Sequence, residues 1–256
     1  MDVIELSPRL HLLRFQVGQA YLWRDGGELT LVDAGPAGSG APIAEAVAAL
    51  GRHPRDVRRI VLTHFHEDHA GGAGEFAALS GAEVLVHRLD APFVRGDVPG
   101  PPPVFEDWER PLHEQAAKLL PEGDFARPPR LTEVSGGDVL DIGGGARVVH
   151  VPGHTPGSIA LHLPGHGVLF TGDTVAASPV DGAVMPGVFN LDRAQVLAAC
   201  RLLAELDADV ACFGHGAPVT SRAGRALRNA AYGEPTPFSD PSSRGPGPGR
   251  CPPRGR

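Results

Sequence analysis

Thr63-His64-Phe65-His66-Glu67-Asp68-His69-Ala70-Gly71-Gly72 is the stretch that decides how this chain is read. Between His64 and His69 it packs three imidazoles and two carboxylates. Histidine is the commonest side-chain metal ligand, and carboxylate completes hard or borderline metal sites. Imidazoles crowded this closely repel one another when protonated, whereas a divalent cation needs them neutral and holds them in place. An apolar strand, Arg59-Ile60-Val61-Leu62-Thr63, runs into the cluster and a Gly pair follows it, so a rigid element delivers the ligands. The reading is a metalloenzyme.

Three later signals extend the cluster. Pro152-Gly153-His154-Thr155-Pro156-Gly157 follows the strand Ala146 to Val151. Thr171-Gly172-Asp173-Thr174 follows the strand Val168 to Thr171, and Phe213-Gly214-His215-Gly216 follows Ala208 to Phe213. Each sets one ligand-type side chain at the C-terminal end of an apolar strand, beside glycines that let backbones converge on a small ion. His64 and His66 lie two apart, so an extended loop points both the same way, while Asp68 and His69 turn toward a neighbouring position. Two sets of three result: His64, His66 and His154 for one metal, and Asp68, His69 and His215 for the other. Asp173 is left to bridge them. Paired cations that share a carboxylate and a hydroxide are suited to hydrolysis.

Composition narrows the partners. The 256 residues carry a net charge of −7, which argues against nucleic acid or an anionic membrane surface as the main partner. With 42% hydrophobic residues the chain can bury a substantial core. Lys118 is the sole lysine, so arginine is used by default and an isolated Arg carries little information. The cysteines, Cys200, Cys212 and Cys251, show no paired spacing, which fits a reducing cytoplasm. Met1 to Glu5 does not read as a secretory leader, and no apolar run reaches membrane-spanning length.

Along the chain, strands are expected at Leu10 to Phe15, Ala20 to Arg24 and Glu28 to Val32, then a helix from Ile43 to Leu50. The buried strand Arg59 to Thr63, a helix from Ala73 to Leu79 and a strand from Glu83 to His87 follow, a parallel crossover pattern. The segment 90–129 is a Pro-rich, charged excursion with a helix expected from Pro111 to Leu120, and it reads as a lid or substrate wall. With the loop from Ala176 to Asn190 it is expected to form an apolar wall from Phe93, Val104, Phe105, Trp108, Met185, Val188 and Phe189. After the strand Ser158 to Leu163, Asp192 caps a helix from Arg193 to Leu206, and a last helix is expected from Pro218 to Tyr232. Seven Pro and five Gly fill Gly233 to Arg256, where disorder is expected. The domain is therefore read as 1–232 with a tail at 233–256. The other histidines (His11, His53, His87, His113, His150, His162, His166) have no motif around them. Glu67 reads as solvent-facing.

His64-x-His66-x-Asp68-His69, followed in order by His154, Gly172-Asp173 and Gly214-His215, resembles the metallo-β-lactamase superfamily from roughly Ile4 to Tyr232, in its glyoxalase II-like branch. Asp33, in Val32-Asp33-Ala34-Gly35, matches an early acidic motif that in the family supports the metal loop from behind. The resemblance implies a four-layer α/β/β/α sandwich, two mixed sheets flanked by helices, with the metals at one edge. It implies two divalent ions, zinc first with manganese or iron as alternatives, and Asp68 as the group that orients the hydroxide. The expected activity is hydrolysis of a small acyl substrate, a thioester or a lactone or ester, without nucleic-acid or membrane partners. The alternative is a persulfide dioxygenase, which in the family holds one iron by the equivalents of His64, His154 and Asp173.

Overall fold

Along the strands, apolar residues one apart belong to different cores, and that alternation generates the layers. The computed structural model describes residues 1–122 and 125–233. A first sheet carries seven strands in sequence order: β1 (Asp2–Ser7), β2 (Leu10–Arg14), β3 (Gln19–Asp25), β4 (Glu28–Val32), β5 (Val57–Val61), β6 (Glu83–His87) and β7 (Leu131–Val134). The first four form an antiparallel meander, with Gly26-Gly27 turning β3 into β4. From β4 to β7 the strands run parallel, which requires crossovers. These are supplied by α1 (Gly40–Ala49), then α2 (Glu67–Ala70) with α3 (Ala73–Ser80), then α4 (Ala91–Arg95) with α5 (Glu109–Ala117).

The second sheet has the order β14-β11-β10-β9-β8. It comprises β8 (Val139–Leu140), β9 (Ala146–His150), β10 (Ile159–Leu163), β11 (Val168–Gly172) and β14 (Val210–Phe213). All its pairings are antiparallel except β11 with β14, so this sheet too is mixed. A small ribbon, β12 (Val175–Ala177) with β13 (Val184–Pro186), precedes α6 (Arg193–Ala204), and α7 (Ala223–Tyr232) follows β14.

Three apolar clusters hold these elements together. Leu13, Ala20, Leu22, Leu31, Ile60, Val84 and Val86 face α1 and α3. Their strand neighbours Leu12, Tyr21, Trp23, Val32, Val61 and Leu85 turn the other way, onto Val148, Ile159, Leu161 and Phe170 of the second sheet. On that sheet's far side Ala160, Leu169, Ala211 and Phe213 meet Val196, Leu203 and Leu227 of α6 and α7. Helix, sheet, sheet, helix is the expected α/β/β/α sandwich. Each fully buried Leu, Ile, Val or Phe contributes about 1.5–3 kcal/mol, so the three interfaces together dominate the fold's stability.

Several elements differ from expectation. The edge strand β1, the short β7 and β8, the β12–β13 ribbon and α4 were not anticipated. The mid-chain helix starts at Glu109 and ends at Ala117. The last helix starts only at Ala223, because Val219 bridges to Ala211 and Arg222 takes a left-handed φ of 52°. Asp192 does cap α6, its carboxylate accepting from the Gln195 N–H. All but the first residue of the 233–256 tail, with Cys251, lies outside the described residues. Among the described residues no helix is long and apolar enough to cross a membrane.

The C-terminal ends of β5, β9, β11 and β14 meet at one edge of the sandwich. Cross-sheet hydrogen bonds fix them there. The Ile159 N–H donates to the Thr63 carbonyl at 2.9 Å. From the first sheet, the Gln19 amide and the Tyr21 hydroxyl both donate to the Phe213 carbonyl at 2.8 Å.

Candidate metal centre

All seven side chains singled out as ligands converge at this edge. Three sets of donor atoms gather within 4.8 Å of one another: His64, His66 and His154; His64, His69 and Asp173; and Asp68, His69 and His215. The first and last are the two sets expected from the spacing. Asp173 stands between them. One of its oxygens lies 3.6 Å from His154 Nε2 and 3.2 Å from His215 Nε2, and the other lies 3.3 Å from His69 Nε2. Asp68 Oδ2 is 3.1 Å from His215 Nε2 and 3.4 Å from His69 Nε2.

The rings are oriented from behind. Asp33 ends β4 with a φ of 59°, and its buried carboxylate accepts from the Thr63 N–H (2.7 Å), the Thr63 hydroxyl (2.8 Å) and His69 Nδ1 (2.9 Å). A carboxylate only accepts, so His69 carries its proton on Nδ1 and turns the Nε2 lone pair to the site. The Thr63 hydroxyl spends its proton on Asp33, so it accepts from His64 Nδ1 at 3.0 Å and fixes that ring in the same tautomer. Asn190 does the same for His154, its Oδ1 lying 3.1 Å from His154 Nδ1 while its amide donates to the Gly187 carbonyl. Asp33 thus takes the supporting role expected of it. Asn190, Gln19 and Tyr21 carried no sequence signal.

This donor set fits divalent cations. His64 Nε2 is buried without a hydrogen-bond partner, a costly state for a polar atom unless something is bound to it. His154 carries its proton on Nδ1, and its Nε2 lies within 3.0 Å of His66 Nδ1, so the two ring nitrogens converge at one place. Burial, with neighbouring imidazoles, holds His64 well below the usual histidine range and His66 down at about 3, and burial also lowers His154. These three are neutral, as a ligand has to be. In the other set burial opposes the charged forms, yet carboxylates and imidazoles facing each other prevail. Asp173, Asp68 and Asp33 lift His69 well above its ordinary value, and Asp173 and Asp68 push His215 up to about 10. Asp68 and Asp173 are held well below the carboxylate range by His69 and His215. Here protons occupy the place that a cation takes over on binding.

Glycines let the backbones close in. A Cβ on Gly214 would lie 1.8 Å from Asp173 Oδ1 and 2.7 Å from the His69 ring, and one on Gly187 would lie 1.7 Å from the Asp173 carbonyl. A further buried carboxylate, Asp90, ties the ligand loops together. It accepts from the Phe65 N–H, the Thr155 hydroxyl and the Gly157 N–H. Burial raises its pKa to about 6. The sequence reading missed Asp90, although Asp90-Ala91-Pro92 just after a strand is a turn-and-helix start.

A cavity of about 680 Å³ opens over the cluster, with His66, Asp68, His154, Asp173 and His215 on its wall. Phe93 and Phe189 line it as expected, joined by Phe65, Val98, Leu120 and Phe125. Val104, Phe105, Trp108, Met185 and Val188 do not, and Val104 is 70% exposed. Phe105 instead backs the wall, packing on His113 and Phe189 with ring centroids 4.7 and 6.1 Å away. His113 itself lines the cavity. Of the other histidines, His87 stacks on His150 at 4.1 Å and His53 caps a short turn. Glu67 is exposed at the cavity's rim. The excursion is fastened to the loop opposite. The Val104 N–H donates to the Asn190 carbonyl, and the buried Glu109 carboxylate accepts from the N–H groups of Glu106 and Phe189.

A sandwich with this cluster at its edge defines a class, and the comparisons agree. The family model of the metallo-beta-lactamase superfamily matches residues 13–215, and the chain belongs to that superfamily. It is 32% identical over 161 residues to a hydroxyacylglutathione hydrolase of Cereibacter sphaeroides (strain ATCC 17023), covering 62% of this chain and 48% of the relative. It is 34% identical over 153 residues to the acyl-coenzyme A thioesterase MBLAC2 of Gallus gallus, covering 57% of this chain and 50% of that one. The chain thus spans about half the length of these curated relatives. Among solved structures, the metallo-beta-lactamase family protein TTHA1429 from Thermus thermophilus superposes with a TM-score of 0.63 at 27% identity, over 89% of this chain and 78% of that one.

Proposed function

We propose that the chain is a metal-dependent hydrolase of a small acyl substrate, a thioester or a lactone or ester. The observation that carries this reading is the convergence of seven ligand-type side chains on the wall of a largely apolar cavity. His64, His66 and His154 would hold one divalent cation, Asp68, His69 and His215 a second, with Asp173 shared and zinc the proposed metal. Such a pair of cations supplies Lewis acidity and hydroxide at neutral pH. Asp33, Thr63 and Asn190 keep the ligand nitrogens aimed at the site throughout a turnover. Asp68 Oδ2 orients the nucleophile, holds the proton it releases and returns it to the departing thiolate or alkoxide. Phe65, Phe93 and Phe189 exclude water and receive an aliphatic or aromatic acyl group. Residues 1–232 form the hydrolase domain, with 90–129 as its lid-like wall. The complete Asp68, His69 and His215 set weighs for two metals over the one-iron dioxygenase.

Thiol or acid release from acyl thioesters, lactones and esters by the zinc-loaded protein tests the reading. Asp68→Asn is expected to lower kcat by about a hundred- to ten-thousandfold. Absence of release from every member of such a panel would overturn it.

A further inference from the structure

A line of contacts runs from α5 to the metal cluster, and it starts on a buried acid. Glu109 opens α5 and is 1% exposed, although glutamate is almost never fully buried without partners. Each of its carboxylate oxygens accepts one backbone N–H. The bond from Glu106, at 2.9 Å, is local and closes the turn that leads into α5. The bond from Phe189, at 3.2 Å, comes from 80 residues away in sequence and does nothing for α5 itself.

Phe189 needs that bond. Its φ of 59° is left-handed, which is rare and costly for a bulky side chain, and such a residue persists only where its surroundings hold it. Glu109 holds its N–H, while the Phe105 and His113 rings pack on its own, with centroids 6.1 and 5.1 Å away. All three belong to the 90–129 excursion. The next residue, Asn190, is held from the same side, its carbonyl accepting from the Val104 N–H at 2.9 Å. The Asn190 side chain is the one that orients His154, with Oδ1 3.1 Å from His154 Nδ1. The strained pair Phe189-Asn190 therefore joins the excursion to a ligand of the first metal set. The other set is supported from elsewhere: Asp33 at the end of β4 orients His69, and Gln19 and Tyr21 hold the Phe213 carbonyl just ahead of His215.

We propose that Glu109 is a positioning residue for the metal site at His64, His66 and His154: by holding Phe189 and Asn190 in their strained turn, it keeps His154 Nε2 aimed at the ion. Resting on the reading of those three histidines as one metal site, this makes the excursion part of the metal centre as well as a wall of the cavity. Removing the carboxylate frees the Phe189 N–H and lets the turn relax toward ordinary backbone. Asn190 Oδ1 then leaves His154 Nδ1, and the ring loses both its orientation and its fixed tautomer.

Stepwise zinc affinity separates this role from plain packing of α5. Wild type, Glu109→Ala and Glu109→Gln are titrated with zinc in competition with a fluorescent chelator, and the step of the first set is assigned as the one lost in His66→Ala. Groups that orient metal ligands contribute about tenfold to a hundredfold in affinity, and Glu109 acts one residue further out. Glu109→Ala is therefore expected to weaken the first step about tenfold and to leave the step at Asp68, His69 and His215 within about twofold. Glu109→Gln keeps one oxygen for the Phe189 N–H and should recover most of that loss. Val104→Pro removes only the N–H that holds the Asn190 carbonyl, at a side chain 70% exposed, and should weaken the same step about threefold; it carries the test if Glu109→Ala does not fold. Both steps within about twofold of wild type would overturn the inference and leave Glu109 a packing residue, and equal losses at both steps would overturn it as a general loosening. Hydrolysis of thioesters and lactones by the same preparations reports on the hydrolase reading separately: a loss confined to the first step without turnover sinks only the reaction, and turnover without that loss sinks only the role of Glu109.

Discussion

Asp33→Asn probes the site's support in a way that substitution of a ligand does not. The native carboxylate takes three hydrogen bonds, two from Thr63 and one from His69 Nδ1. Asparagine keeps the shape and offers one acceptor and one donor end, so two placements exist. With its oxygen toward the Thr63 N–H, its NH₂ faces the Thr63 hydroxyl and His69. The hydroxyl then accepts from the introduced amide, donates to His64, and both rings move their proton from Nδ1 to Nε2. That proton sits on the nitrogen aimed at the metal. With the amide reversed, the rings keep their tautomer, but the NH₂ opposes the Thr63 N–H and leaves a buried donor unsatisfied. That costs about 1–3 kcal/mol, and every remaining bond has lost its charged acceptor. Groups that orient metal ligands in this way typically contribute about tenfold to a hundredfold in affinity. The expected result is a loss of metal affinity of that size, a loss of stability of about 2–4 kcal/mol, or a share of each. Competition with a fluorescent zinc chelator measures the first and urea unfolding of the metal-loaded protein the second. A variant within twofold of wild type in affinity and equally stable would refute the relay from Asp33 through Thr63 to His64.

Gly214→Ala should disrupt the site without touching a ligand, because its Cβ would collide with Asp173 Oδ1; zinc affinity is expected to fall at least about tenfold, and unchanged affinity would argue against the close approach. Leu161→Ala, at a fully buried position between the two sheets, should cost about 2–5 kcal/mol in urea unfolding, whereas a cost below that would mean the inter-sheet core is looser than described. The native pKa of Asp90, about 6 against about 3.8 unfolded, means its protonated form stabilises the fold below pH 4 and that this contribution is lost as pH rises through 6. The stability of wild type relative to Asp90→Asn should therefore decline by about 2–2.5 kcal/mol from pH 4 to pH 7, and a pH-independent difference would remove burial as the cause.

Much of this was legible because ligands at strand ends leave a local signature. His64 to His69, the Gly-flanked His154 and His215, and Gly172-Asp173 each combine a reactive side chain with the turn residues that aim it. The strands of the central layers were equally visible, since their two faces enter different cores and both faces are apolar. What escaped lacks such constraints. Strand β1 has no buried residue to mark a period, and β8 is two residues long. Asp90, Asn190, Gln19 and Tyr21 act through contacts 25 or more residues away in sequence, which no local pattern encodes. The cavity wall shows the same limit of sequence reading. An apolar residue in a loop can face a pocket, as Phe93 does, or pack behind it, as Phe105 does, and only the path of the backbone separates the two.

Metal content by elemental mass spectrometry, on protein purified without chelators and again after reconstitution, tests the central claim most directly. Two zinc ions per chain, with loss of both on substitution of the shared Asp173, is the expected result. A single iron per chain would contradict the two-metal hydrolase and make oxygen uptake with a persulfide the next assay. No metal, and none taken up on reconstitution, would contradict the whole account of why these seven side chains converge.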